Sequence, residues 1–151
     1  MMSTLFTITF YLAAPFWALM ILAPAWSWTR RIISSPLIMA PACVLYLAVT
    51  IPLLGEVLPA VTQPSLAGFQ DLMADAGAVV IVWAHIVAFD LFVGRWMYLE
   101  SRKLGIHPLI MAPVLLLTIL LAPIGALGFL AIRAFAASPA RSSSRAGAPG
   151  G

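Results

Sequence analysis

From Ala76 to Leu99 the chain is an almost unbroken apolar run. As a helix it is long enough to cross the hydrocarbon core of a bilayer, which takes about 20 residues. Three ionisable side chains interrupt it at five-residue intervals: His85, Asp90 and Arg95. A charged side chain at the centre of a spanning helix costs roughly 2.5–3.5 kcal/mol on insertion scales, so such groups are kept for a pairing or a chemical task. The remainder of the chain obeys the same constraint. Apolar residues make up 63% of the 151 and charged residues 9%, which excludes a soluble globule with a charged shell and makes lipid the natural solvent.

Three further apolar runs accompany it. Leu5 to about Trp26 is uncharged and followed by Arg30-Arg31; Trp17, Trp26 and Trp28 are candidate interface anchors. No Lys or Arg precedes this run and it is too long for a secretory signal, so it reads as a retained helix. Ile38 to about Leu54 is entered through Ser34-Ser35-Pro36, with Pro41 and Pro52 near its ends. Leu109 to about Ile132 is closed by Arg133 and carries Pro113, Pro123, Gly125 and Gly128. The expectation is an all-α integral membrane domain over residues 1–137, with four transmembrane helices at about 5–26, 38–54, 76–99 and 109–132. The Ser, Ala, Pro, Gly and Arg stretch 138–151 is expected to be a disordered tail.

Gly55 to Asp75 reads as a loop with Glu56, Asp71 and Asp75 and no cation. Within it Ser65 is placed to cap a short helix whose Leu66, Phe69, Leu72 and Met73 would lie on the membrane. The net charge of +3 sits at helix ends and in the tail, which suits anchoring to membrane lipids and not nucleic-acid binding. Arg30, Arg31, Arg102 and Lys103 mark two turns as cytoplasmic, which puts both termini outside the cytoplasm of a bacterial-type inner membrane; Arg133, Arg141 and Arg145 run against that placement. The lone Cys43 cannot form an internal disulfide and reads as a small packing residue.

One hexapeptide occurs twice. Pro36-Leu-Ile-Met-Ala-Pro41 returns as Pro108-Leu-Ile-Met-Ala-Pro113, and the same offset sets Arg30 on Arg102 and Arg31 on Lys103. Two repeated helical hairpins in one orientation would explain it. On that alignment His85, Asp90 and Arg95 fall on Ala13, Ala18 and Ala23, so the polar groups would be additions for a task.

A helix turns by about 100° per residue, so residues five apart are thrown to different sides. His85, Asp90 and Arg95 therefore cannot form one line, and each needs a partner on another helix or in a ligand. His85 shares a face with Phe89, Phe92 and Trp96, and Asp90 shares one with Trp83, Gly94 and Met97. Glu100, Arg102 and Lys103 read as an interfacial charge cluster, and His107 before Pro108 as a turn residue. The sequence holds no phosphate loop, no Gly-rich dinucleotide motif and no His/Cys cluster with metal spacing, so neither a cofactor nor a metal is expected.

The stretch Trp83-Ala-His-Ile-Val-Ala-Phe-Asp-Leu-Phe-Val-Gly-Arg-Trp96, followed by Glu100-Ser-Arg, Gly105-Ile-His107 and Ala122-Pro-Ile-Gly125, resembles the abscisic-acid-deficient, neoxanthin-synthase-like family of membrane proteins. Glu100 stands where members often carry Asp, and the chain lacks the Arg/Ser-rich transit peptide of a plastid protein, which suggests a bacterial-type member. The resemblance implies a redox-neutral isomerisation of a carotenoid epoxide or related isoprenoid lipid, violaxanthin to the allenic neoxanthin in plants. Such a reaction needs an acid at the epoxide oxygen and a base at the polyene end. On this reading Asp90 and His85 are acid and base in either order, Arg95 steadies developing negative charge or holds Asp90 ionised, Phe89, Phe92 and Trp96 pack the polyene, and Trp83 joins them in binding the substrate. The alternative is a non-catalytic membrane module that binds a pigment, a lipid or a partner protein. A homo-oligomer is compatible with either.

Overall fold

The computed structural model describes residues 1–138, and these form helices and turns with no strand among them. Three helical segments are long and apolar enough to cross a membrane: Met2–Leu22, Pro36–Thr62 and Ala76–Lys103. The expected tail lies, from residue 139 onward, outside the described residues.

Helix α1 (Met2–Leu22) stops at Ala23-Pro24, earlier than the expected end near Trp26. A separate amphipathic helix follows, α2 (Ser27–Ser34), which buries Thr29 and Ile33 and leaves Arg30 and Arg31 exposed. The Thr29 hydroxyl donates to the Ala23 carbonyl over 2.8 Å and so fixes the bend. Trp26 and Trp28 are 53% exposed, as interface anchors would be, but Trp17 is 5% exposed and packs inside the bundle.

The second span is longer than its sequence suggests. A 3-10 turn (Pro36–Met39) leads into α3 (Ala40–Thr50), and a second 3-10 turn at Ile51–Leu53 joins it to α4 (Leu54–Thr62). Pro52 lacks the N–H that a continuous helix would use, so the helix tightens there and continues. The loop expected from Gly55 therefore begins only at Gln63. Ser65 then caps α5 (Leu66–Leu72), its hydroxyl accepting from the Gly68 N–H over 3.1 Å. Cys43 lies exposed on the outer surface, not packed as expected.

Helix α6 (Ala76–Lys103) is the axis of the molecule. Asp75 caps it, Oδ1 accepting from the N–H groups of Gly77 and Ala78 at 2.8 and 3.0 Å. It packs against α1, α2 and α3 and the two helices that follow. α1 and α6 run parallel. Phe6 stacks on Trp83, Trp17 lies on Gly94, and the Tyr98 hydroxyl donates to the Pro24 carbonyl over 2.9 Å. A Cβ on Gly94 would fall among the ring carbons of Trp17, so this glycine is the notch that lets the indole lie against α6.

The fourth expected span does not form. Leu109 to Ile132 is divided between α7 (Pro108–Leu120) and α8 (Ala122–Ala137), which fold back on each other. A 13-residue helix such as α7 is about 20 Å long, short of the roughly 30 Å hydrocarbon core. The break falls at Leu121 (φ −148°, ψ 71°), just before Pro123. The path is clear from its contacts. α7 climbs past Met97, where the Thr118 hydroxyl reaches the sulfur at 3.7 Å, and ends beside Asp90. α8 then descends, with Phe129 edge-on to Trp96 at 5.1 Å between centroids and Arg133 Nε 3.2 Å from Glu100. Gly125 makes the close turn workable, since a Cβ there would stand 2.7 Å from the backbone N and Cα of Thr118.

Two expectations change with this. The start of α1 and the end of α8 lie at opposite ends of the bundle, not at the same one. The repeated hexapeptide opens two unlike structures, a 3-10 turn feeding a long bent span and an α-helix that turns back after 13 residues. Arg30 also sits on a separate surface helix, whereas Arg102 ends the continuous α6. The basic groups Arg30, Arg31, Arg102, Lys103 and Arg133 nevertheless gather at one end, with Glu56, Asp71 and Asp75 towards the other.

Candidate functional site

Asp90 stands at the midpoint of α6, half-buried, and opens on a cleft of about 320 Å³ between α1, α6 and the tip of α7. Phe10, Ala13 and Trp17 line it from α1, Trp83, Ile86 and Val87 from α6, and Ile119 and Leu120 from α7. Asp90 is the sole ionisable side chain among these lining residues. No protein group among the described residues pairs with its carboxylate; the two ion pairs present both use Glu100. Trp83 adds a second uncommitted group, a buried Nε1 with no hydrogen-bond partner. A carboxyl left unpaired in an apolar cleft marks a place where something polar docks.

The three ionisable groups of α6 do not converge. His85 faces away from Asp90. It stacks on Phe89 at 4.6 Å and lies 5.9 Å from the Tyr46 ring, lining a separate apolar groove of about 550 Å³ with Val61, Phe69 and Leu72. Arg95 is committed to the backbone: Nε donates to the Ile33 carbonyl at 2.8 Å and a terminal nitrogen to the Ser34 carbonyl at 2.6 Å. It therefore caps the C-terminal end of α2 and ties that helix to α6. Phe89 and Phe92 point outward, 58% and 49% exposed, and Trp96 packs on Phe129. Of the sequence-predicted residues, only Trp83 accompanies Asp90.

Phe10, Trp17, Ile119 and Leu120 are among the lining residues that the sequence did not announce. The available signal was Gly94 on the Asp90 face of α6, since a glycine on a packed helix face marks close approach by a neighbour. Which neighbour approaches is a tertiary fact. Among the described residues no three His, Cys, Asp or Glu side chains converge.

Among the described residues, fold and site together define an all-helical protein with three segments fit to cross a membrane and a cleft lined by one carboxylate midway along α6. The family model described as ABA DEFICIENT 4-like matches residues 4–129, and the chain belongs to that family. No curated protein and no solved structure matches it.

Proposed function

We propose that the chain is an intramembrane isomerase of a carotenoid epoxide or related isoprenoid lipid, and that Asp90 carries the chemistry alone. The observation that supports this is the unpaired Asp90 carboxyl in an aromatic-walled cleft. In its protonated form Asp90 gives its proton to the epoxide oxygen as the C–O bond next to the polyene breaks. The resulting carboxylate takes the proton from the adjacent vinylic carbon, whose C–H electrons complete the cumulated double bond. One hydrogen has moved from carbon to oxygen, no electrons leave the substrate, and Asp90 regains its proton. The Trp83 ring, which walls the cleft, would pack the end-group beside Asp90. A cleft of about 320 Å³ accommodates a ring end-group and not a whole carotenoid, so the polyene would run out past the exposed Phe10 and Ile86 into lipid.

The membrane is the setting for this reading. The positive-inside rule would place the basic end, including Arg133, in the cytoplasm of a bacterial-type inner membrane. The beginning of α1 would then lie outside and the end of α8 inside. The α7–α8 pair would enter from the cytoplasmic side and turn beside Asp90. Interrupted backbone at membrane depth is tolerated where it is buried or lines a cavity, and in transporters it often forms the binding site.

The second reading, a non-catalytic pigment or lipid binder, draws on the absence of a second ionisable group beside Asp90. Chromatography with mass detection separates the two. Expressed in a host that accumulates violaxanthin, the chain should yield a new pigment of unchanged mass. Asp90→Asn should abolish it while the protein still accumulates in the membrane. Normal conversion by that variant would remove Asp90 from the reaction. A pigment that co-purifies unchanged with both forms would establish the binder.

A further inference from the structure

A second cavity lies at the basic end, away from Asp90. It measures about 490 Å³ and is framed by the Pro24–Ser27 bend, Arg30, Arg31 and Ser34 of α2, and Tyr98 and Arg102 of α6. Three arginines thus line one pocket, and no carboxylate is among its lining residues. Glu100, the acid nearest in sequence, is committed to Lys103 at 3.5 Å and Arg133 at 3.2 Å. Like charges gathered without a counter-charge repel one another, so the arrangement is stable when an anion completes it.

The pocket has a built floor and walls. Tyr98 is 2% exposed, and its hydroxyl is fixed by the bond to the Pro24 carbonyl. Arg30 and Arg102 come from different helices, and both line the pocket with Tyr98. Arg31 is held over the Trp28 ring, 5.3 Å from its centroid. The first N–H groups of α2 have no side-chain cap, and Trp26 and Ser27 at that end line the pocket. Guanidinium forks and free helix N-terminal amides are the two groups that recognise phosphate oxygens best.

Position decides the source of the phosphate. The pocket sits where α1 ends, beside the half-exposed Trp26 and Trp28, at the level where tryptophan meets the headgroup layer. We propose that the Arg30–Arg31–Arg102 pocket binds the phosphate of an anionic phospholipid, bridging α2 to α6. A zwitterionic lipid would bring its own cation against three arginines and is disfavoured. This site is independent of the Asp90 reading.

The full chain in neutral maltoside micelles, titrated with phosphatidylglycerol, phosphatidylcholine or inorganic phosphate, tests it by native mass spectrometry and thermal unfolding. One phosphatidylglycerol per chain should be retained and should raise the unfolding temperature, with phosphatidylcholine and inorganic phosphate doing neither. Arg30→Gln and Arg102→Gln should each weaken retention about fivefold or more, roughly what one arginine contributes at an anionic surface. Arg133→Gln, which removes the same charge outside the pocket, should leave retention unchanged. Equal retention of the two lipids by the unaltered chain would overturn the proposal, whether or not the variants fold. So would an equal loss in Arg133→Gln, which would reduce the effect to net charge. Stabilisation by inorganic phosphate alone would assign the pocket to a soluble anion and overturn the lipid assignment.

Discussion

Glycine-to-alanine exchanges in α8 probe the fold-back directly, because two glycines three residues apart meet opposite surroundings. At Gly128 nothing lies within 4 Å of an added Cβ. Alanine there should stabilise by up to about 1 kcal/mol, the ordinary helix-propensity gain. At Gly125 the same carbon would stand 2.7 Å from the N and Cα of Thr118. Those are backbone atoms of α7 and cannot swing aside as a side-chain tip can, so the two helices must part. Overpacking of this kind costs about 1–3 kcal/mol, which should outweigh the propensity gain. Gly125→Ala should therefore be less stable than Gly128→Ala by about that cost. Equilibrium unfolding in mixed micelles, followed by tryptophan fluorescence, gives both values. Equal stabilities within about 0.5 kcal/mol, the scatter expected for uncoupled surface changes, would refute the close contact of α7 with α8.

Other expectations follow from the same geometry. His85→Ala should leave pigment conversion by the folded protein in place, because His85 lines a groove on another side of α6; a loss of product mass signal comparable to Asp90→Asn would return His85 to the chemistry. Arg95→Gln removes two charge-assisted bonds to the end of α2 and should cost about 2 kcal/mol or more in an unfolding titration. Its product yield per folded molecule should stay the same, and a selective loss of turnover would contradict a purely structural role. Glu100→Gln breaks the pairs with the exposed Lys103 and the 46%-exposed Arg133 and should cost about 1 kcal/mol by the same titration. A reporter fused after Gly151 should prove cytoplasmic, where a four-span arrangement would put it outside.

Much of this was legible in the chain, and the gaps have physical causes. Hydropathy finds apolar length, so the first and third spans and the Ser65-capped helix emerge nearly as read. It cannot tell a run that crosses from one that returns, because both bury the same side chains in the same solvent. The fold-back is encoded instead in Leu121–Pro123 and Gly125, where a lost N–H and a missing Cβ coincide. The second span was undercounted for the opposite reason: Pro52 and Gly55 looked like an end, yet a 3-10 turn carries the helix past them. At the site, helical geometry correctly separated His85, Asp90 and Arg95. It could not name their partners, since Trp17 reaches Gly94 from far away in sequence and Arg95 answers to backbone carbonyls that carry no side-chain signature.

The parallel pairing of α1 with α6 also sets a timetable for assembly. Trp17 can lie in the Gly94 notch only after most of the third crossing has been synthesised. At about 5–20 residues per second, the intervening chain takes on the order of 4–15 s to emerge. Through that interval α1 has only α2 and α3 to pack against. The cleft beside Asp90 does not exist until the wait ends, and it closes at the tip only when α7 arrives later still. The wall contributed first in synthesis thus waits longest for its partners, and a pause in translation before Gly94 would prolong the exposure of Trp17 without altering a single contact in the finished protein.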